Sequence, residues 1–236
     1  MGGRISLKQM KYRDIFEAEF IDRPNRFIAN VIIDGQSAVC HVKNTGRCKE
    51  LLIPGVKVCV QRALKPERKT QWDLIAVMKG DRLINIDSAA PNAVFGEWLR
   101  AGGLTGAMPE LIRPETVYKS SRFDFYFEQL GKKAFAEVKG VTLEEDGVVL
   151  FPDAPTERGV KHLHGLIDCV QDGYEAYAVF IVQMKGVKYF TPNRATHPEF
   201  ADALKAAQDA GVNILALDCA VKPDEIRVCD RVKILL

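Results

Sequence analysis

Short runs of alternating and apolar residues fill the first part of the chain and predict β-strands. The runs are FIANVIID, QSAVCHV, VKVCVQ, QWDLIAVMKG and DRLINIDS, between residues 27 and 88, and Asp34-Gly35 is a hairpin turn between the first two. Five short strands so close together are typical of a small closed or nearly closed barrel of the OB type.

The pattern changes near residue 90. The segment SAAPNAVFGEWLRAGG predicts a helix that Pro91 opens and that Gly102-Gly103 ends. We therefore expect two domains, residues 1–90 and residues 91–236.

The second part alternates between strands and helices. FDFYFEQL and KAFAEVKG predict two strands that meet at Gly131, and VVLF predicts a short strand before a helix over residues 157–171. The apolar run at 174–184 predicts a central strand covered on both faces, and a helix ending at Gly211 and the strand VNILALDCAV follow. This order predicts an α/β (α+β) domain with a mixed sheet flanked by helices.

Composition and charge narrow the class of protein. The chain has 236 residues, of which 47% are hydrophobic and 27% charged, so it buries a core and is not disordered. No apolar run approaches the roughly 18 residues that cross a bilayer, and the start lacks the apolar core of a signal peptide. We expect a cytoplasmic protein with no membrane partner. The sequence does not determine the oligomeric state, and a homodimer is one of the options.

The net charge of +2 is unevenly distributed. Residues 1–90 hold 16 Lys and Arg against 10 Asp and Glu, and residues 91–236 hold 17 against 21. A basic first part suits a polyanion such as DNA, and an acidic second part suits divalent cations. Solvated surface charge is the alternative explanation.

Asp124, Glu137 and Lys139 form the candidate chemical site. Alternation places Asp124 on the face of its strand opposite the three phenylalanines 123, 125 and 127, and pairing about Gly131 brings Asp124 opposite Glu137. Facing carboxylates repel unless a cation lies between them or one takes up a proton. We expect Mg²⁺ (or Mn²⁺), with Lys139 activating a bound water or stabilising charge on an attacked phosphate. An exposed hairpin face with three surface charges is the alternative.

The pattern Asp-x(12)-Glu-x-Lys resembles the PD-(D/E)XK nuclease superfamily. In that superfamily a preceding helix adds an acidic metal ligand, and a later strand often carries a glutamine. The resemblance assigns Glu97 to the first position and Gln183 to the second, so the metal ligands would be Glu97, Asp124 and Glu137, with Lys139 and Gln183 completing the catalytic set. Phe123 stands where the superfamily has proline.

Longer strings resemble one particular family, the sugar fermentation stimulation protein A family. They are RFIANV, NTGRCKELLIPG, APNAVFGEWL, SRFDF, AEVKGVTL and FPDAPTERGVKHLHGL, and they run in order through almost the whole chain. The resemblance implies an N-terminal OB-like domain, a C-terminal PD-(D/E)XK-like domain, association with DNA without sequence specificity, and a regulatory role in sugar (maltose) metabolism.

Basic residues suggest where DNA would bind. OB folds hold nucleic acid on strand faces and loops, and a basic helix start is suited to phosphate. The candidate contacts in the barrel are Arg23, Arg26, Lys43, Asn44, Arg47 and Lys49, and those at the helix after the Thr156 cap are Arg158, Lys161 and His162. For His162 we expect a surface or capping role, with a phosphate contact as the alternative, and for Phe27 we expect a core position, with base stacking as the alternative.

DNA binding is therefore the primary predicted function. Metal-dependent cleavage of DNA phosphodiesters by the carboxylate set is the alternative. A protein that acts directly on a small molecule has no support, because the sequence has no phosphate-binding glycine loop and no nucleophile elbow.

Overall fold

The computed structural model describes residues 10–44, 46–63 and 67–236. Its first part is a barrel with one added strand: β1 (Ile15–Asn25), β2 (Ile28–Ile33), β3 (Gln36–Val42), β4 (Lys57–Arg62), β5 (Trp72–Lys79) and β6 (Arg82–Asn85). Antiparallel pairs run in the order β3-β2-β1-β4-β5, and a parallel pairing of β3 with β5 closes the ring. The predicted OB-type barrel is confirmed.

Two strands of the barrel region differ from the prediction. The first barrel strand is β1, which was not among the predicted strands because charged residues and Pro24 break its pattern and only Ala18 and Phe20 are buried. The strand DRLINIDS was expected in the barrel, but β6 pairs with β5 only and extends the sheet outside the closed ring.

The second part is built on a six-stranded sheet. Its elements are α1 (Ala90–Arg100), β7 (Leu111–Tyr118), β8 (Ser121–Gln129), β9 (Lys132–Val141), β10 (Glu144–Glu145), β11 (Val148–Phe151), α2 (Glu157–Gln171), β12 (Glu175–Val182), β13 (Tyr189–Pro192), α3 (Pro198–Asp209), β14 (Asn213–Lys222) and β15 (Glu225–Arg231). The strand order is β15-β14-β12-β9-β8-β7, with β9, β12 and β14 parallel and the other neighbours antiparallel. A smaller sheet joins β10, β11 and β13.

Helices cover both faces of the large sheet, as predicted. Two buried clusters separate the faces: one contains the α1 residues Val94, Phe95 and Leu99, and the other contains buried residues of α2 and α3. The second helix spans the predicted residues and is capped by Thr156, whose hydroxyl accepts the Gly159 N–H at 3.0 Å. Within the described residues, no helix is long and apolar enough to cross a membrane.

The barrel is fixed against the large sheet by apolar and polar contacts. The cluster on the α2 and α3 face continues into the barrel core. Buried Gln183 donates to the Asn85 side chain at 2.9 Å, and Lys79 pairs with Glu144 at 2.7 Å. The loop residues 43, 44, 46 and 47 of the barrel lie beside the start of α1 and the segment that leads into α2, since Lys43 pairs with Asp87 and the Arg47 N–H contacts Asp153.

Candidate metal and nucleic-acid site

Asp124 lies in β8 where the strand loses regular pairing. Pairing with β9 ends at Phe125↔Ala136, and pairing with β7 passes from residue 125 to residue 123 without including Asp124. The carboxylate instead accepts the Val138 N–H at 2.7 Å on Oδ2 and the Asn92 amide at 2.8 Å on Oδ1. The irregular strand thus directs Asp124 toward β9 and α1.

The same irregularity corrects one expectation about the strand. Phe123 packs with His162 in the α2-side cluster, whereas Phe125 and Phe127 belong to the α1-side cluster. The prediction that all three phenylalanines share one face was wrong, because the break at Asp124 reverses the alternation.

Glu137 is the most enclosed acid of the group. It is 5% exposed, and its Oε1 contacts both Nδ1 of His162 and Nζ of Lys139, the latter at 2.5 Å. Its Oε2 is buried and has no hydrogen-bond partner among the described residues. A buried anionic oxygen without a partner is costly and fits a position for a cation.

The two carboxyl groups titrate in opposite directions. Burial, reinforced by the charge of Glu137, raises the pKa of Asp124 above its ordinary value. Burial also favours the protonated form of Glu137, but the hydrogen bond from His162 and the charge of Lys139 outweigh it and lower the pKa of Glu137. The pair therefore holds one firm negative charge and a second that a cation would stabilise.

His162 connects Glu137 to the first turn of α2. The Arg158 Nε, which can only donate, lies 3.4 Å from His162 Nε2, so Nε2 accepts and Nδ1 carries the proton that it donates to Glu137. The expectation of a surface or capping histidine was wrong, because His162 is 5% exposed and Thr156 is the cap. We call Asp124, Glu137, Lys139 and His162 the carboxylate site.

Two predicted members of the site make their polar contacts with other groups. Glu97 is surrounded by Met10, Arg100 and Glu225, and burial raises the pKa of its carboxyl group. Gln183 donates to Asn85 Oδ1 and to the Asp87 carbonyl, and no hydrogen bond joins it to the carboxylate site within the described part of the chain. The α1 residue beside Asp124 is Asn92, a neutral side chain that the acidic pattern could not reveal.

The site offers few ligands for a metal. In residues 10–44, 46–63 and 67–236, no three His, Cys, Asp or Glu side chains are grouped so that they could hold an ion. Two carboxylates are nevertheless enough for Mg²⁺, which keeps several of its waters. Asp124 and Glu137 are the residues with the chemistry to hold such a cation.

Three of the predicted DNA contacts share an exposed surface. Arg26, Arg47 and Lys49 are exposed and line a groove of about 370 Å³, which we call the basic groove. Phe27 lies beside Arg26, whose guanidinium is 4.7 Å from the ring centre, and it is 45% exposed, so the core position weighed for it was wrong. An exposed aromatic ring among cations is suited to stacking on a nucleobase.

Three other predicted contacts, Arg23 of β1 and the loop residues Lys43 and Asn44, hold the loop that leads to Arg47. Arg23 donates to the backbone carbonyls of residues 26, 44, 46 and 47, so its guanidinium is engaged in intramolecular hydrogen bonds. Lys43 pairs at 2.5 Å with the fully buried Asp87, and Asn44 Oδ1 accepts the Gly46 N–H at 2.7 Å. Their part in any DNA contact is to shape the loop that presents Arg47.

The basic start of α2 lies on the same side of the molecule as this loop. The Arg47 N–H is 3.3 Å from Asp153 Oδ2, in the segment that leads into α2. Arg158 and Lys161 are exposed on that helix, and Lys161 donates to the Ser120 carbonyl at 3.1 Å. Through Arg158 and His162, this surface is connected to Glu137.

The fold and site define a class of protein: an OB-type barrel joined to a mixed α/β domain, in which a buried glutamate and a partly buried aspartate lie beside a lysine and a histidine. Two protein-family models match the chain. The family described as the SfsA N-terminal OB domain matches residues 21–86, and the family described as the Sugar fermentation stimulation protein RE domain matches residues 89–225.

Related proteins match over nearly their full length. The sugar fermentation stimulation protein homolog of Clostridium beijerinckii is 58% identical over 96% of this chain and 100% of that protein. The homolog of Desulfitobacterium hafniense is 59% identical over 96% of this chain and 99% of that protein. The solved structure of Pyrococcus furiosus SfsA in complex with Ca²⁺ is similar, with a TM-score of 0.87, 29% identity, and coverage of 97% of this chain and 99% of that one. This chain belongs to the sugar fermentation stimulation protein family.

Proposed function

We propose that this protein binds DNA through the basic groove of its barrel. The observation that carries the proposal is the exposed set of Arg26, Arg47 and Lys49 beside the exposed ring of Phe27. Cations that track the phosphates, combined with an aromatic platform for a base, are the usual elements of binding without sequence specificity. The relatives' name refers to sugar fermentation, and a DNA-binding regulator would act on sugar metabolism through this contact.

Fluorescence anisotropy with a labelled single strand and a labelled duplex tests this proposal. The variant in which Arg26, Arg47 and Lys49 are all replaced by alanine should bind at least tenfold more weakly than wild type, since each lost phosphate contact weakens binding to every sequence. The control replaces Arg194 and Lys205, which are more than half exposed and pair with the nearby acids Asp202 and Asp209. Equal affinities of wild type and the groove variant would exclude this surface.

A second candidate function is metal-dependent hydrolysis of DNA, which the partnerless Glu137 Oε2 favours. Asp124 and Glu137 would hold the cation, and Lys139 would contact the phosphate. The relative from Pyrococcus furiosus was solved in complex with Ca²⁺, which supports a divalent-cation site in this fold. When bound, the cation would supply a Lewis acid and a more acidic water.

The surrounding residues have separate roles in this candidate activity. Asn92 and the Val138 N–H orient Asp124, and His162 orients Glu137 so that Oε2 stays free. Lys139 would offset the charge that develops on the phosphate oxygens. Arg158, exposed at the first turn of α2, would contact the adjacent phosphate.

Incubation of single-stranded, duplex and branched DNA with Mg²⁺, Mn²⁺ or EDTA tests the second candidate. Wild type should cleave at least one substrate with a divalent cation and none with EDTA. The variant Asp124→Asn should keep DNA affinity and lose cleavage. Cleavage by the variant at the wild-type rate, or no cleavage by wild type on any substrate, would refute the nuclease and leave DNA binding intact.

A further inference from the structure

A second polar site lies between the barrel and the large sheet. It is a cavity of about 160 Å³, which we call the junction cavity, and Asn44, Gly46, Gly140, Asp153 and Gln183 contribute to its lining. A cavity of about 150 Å³ holds a benzene molecule, so this one has room for a single six-membered ring. Its lining is more polar than that of an empty apolar void.

Gln183 presents an acceptor to this cavity. The side chain is 1% exposed, and its amide nitrogen is committed to Asn85 Oδ1 at 2.9 Å and the Asp87 carbonyl at 3.1 Å. Because both of those partners can only accept, the orientation of the amide is determined. The oxygen Oε1 therefore faces Gly140, in the wall of the cavity.

Gln183 can lie close to the backbone of β9 because residue 140 is a glycine. A Cβ atom at residue 140 would lie 2.5 Å from Gln183 Oε1. Gly46 has the same relation to Asp153, since a Cβ atom there would lie 2.5 Å from Asp153 Oδ2. Gln183 Oε1 and the Asp153 carboxylate thus approach the backbone at Gly140 and Gly46, where any larger residue would place its Cβ atom too close to them.

The polar groups specify the chemistry of a ligand. Gln183 Oε1 and the Asp153 carboxylate are acceptors, which disfavours a phosphate and requires N–H or O–H donors. Asn44 uses its oxygen to accept the Gly46 N–H, which leaves its amide N–H groups to donate to a ligand carbonyl. Cytosine matches this set: its amino group can donate to the acceptors, its carbonyl can accept from Asn44, and its single ring fits the volume.

The basic groove lies next to the junction cavity. Gly46 contributes to the lining of both, so the groove and the cavity adjoin at this residue. A DNA strand held in the groove would have its bases within reach of the cavity if one were unpaired. Proteins that take a base out of the stack hold it in such a pocket and contact its pairing edge.

We infer that the junction cavity binds one unpaired, amino-bearing nucleobase of DNA, with cytosine as the ring of suitable size. This inference rests on the proposed function, because it names the DNA structure that the protein would prefer. Gln183 then positions a base and does not assist the carboxylate site.

Anisotropy with three duplexes of equal length tests the inference. One is fully paired, one has a single unpaired cytosine, and one has a single unpaired thymine, which lacks the amino group. Wild type should prefer the unpaired cytosine over both others by roughly fivefold or more, the lower range for one good base contact. Asp153→Asn and Asn44→Ala should each lose the preference. The control Asp209→Asn, at the exposed end of α3, should keep it.

The outcomes separate this inference from the proposed function. Equal wild-type affinity for all three duplexes would overturn the cavity as a base site and leave DNA binding intact. If wild type binds no DNA, calorimetric titration with cytidine decides: binding that is lost in Asp153→Asn supports a site for a free nucleoside, and no binding overturns the inference. Melting curves of each variant confirm that it is folded.

Discussion

Replacing Asp124 with asparagine separates the structural role of this side chain from its charge. Asparagine has the same shape, and its Oδ1 can still accept the Val138 N–H. Asn92 can rotate its amide to present an oxygen to the new NH₂ group, so both hydrogen bonds survive. The variant lacks the second, partly buried negative charge beside Glu137.

Without a metal, the variant should be at least as stable as wild type. The pKa of Asp124 is raised by folding, so between its ordinary and its raised value the folded protein binds more protons than the unfolded chain. Wild-type stability therefore falls as the pH rises through the folded pKa. Asp124→Asn removes this loss. We expect the free energy of unfolding to rise by on the order of 1 kcal/mol at neutral pH, which is the scale of one like-charge contact.

With a metal, the order should reverse. A cation at 100 times its Kd stabilises the folded state by about 2.7 kcal/mol. For a chain of this length each 1 kcal/mol shifts the Tm by about 2–4 °C, so wild type should gain roughly 5–11 °C. Asp124→Asn should gain almost nothing, because one of the two carboxylate ligands is gone.

Thermal unfolding after treatment with EDTA, and again with Mg²⁺, Mn²⁺ or Ca²⁺ added, measures both effects. Asp209→Asn is the control, since its carboxylate is exposed and its melting should follow wild type with each cation. A cation-induced Tm shift of the same size in Asp124→Asn and wild type would refute the reasoning. So would a wild-type Tm that none of the cations changes.

Two further variants test other contacts. His162→Leu removes the neutral imidazole N–H that donates to buried Glu137, and losing this hydrogen bond to a charged group should cost about 1.5–3 kcal/mol of unfolding free energy in chemical denaturation. The matched change of exposed His164 should cost less than about 0.5 kcal/mol, and equal losses would contradict the buried hydrogen bond. Phe27→Ala should weaken binding of single-stranded DNA by about 1–3 kcal/mol in anisotropy with little change in Tm, whereas Val39→Ala, at a similar exposure of 46%, should leave affinity unchanged. Similar affinity losses in the two variants would argue against stacking.

Local signals in the sequence were sufficient for several elements. The second helix has the predicted bounds because Thr156 caps it and its apolar residues recur with the helical period. The β8–β9 hairpin turns where predicted, since Leu130 and Gly131 both adopt positive φ. The continuous apolar run of β12 was correctly assigned to the centre of the sheet.

Other elements depend on tertiary contacts that local patterns do not contain. Strand β7 carries Pro114, together with Glu115 at a φ of 52°, and none of its eight residues is buried, so it lacks a strand pattern. It forms because β8 provides a pairing edge.

The site shows the same limit. A helix before Asp124 was predicted correctly, but its rotation was not. Gly96 lets α1 approach Phe125 closely, since a Cβ atom there would lie 3.2 Å from the ring. This packing turns Asn92 toward Asp124 and Glu97 away from it. The burial of His162 against Glu137 likewise follows from helix packing, and the spacing of the two histidines in α2 did not reveal it.

The salt dependence of DNA binding tests the central claim most directly. For duplex DNA, the slope of log K against log salt concentration is about −0.9 for each phosphate neutralised. Replacing Arg26, Arg47 and Lys49 with alanine should therefore make the slope less negative by about 2.7 relative to wild type. An unchanged slope, or wild-type binding that does not respond to salt, would contradict DNA binding by the basic groove.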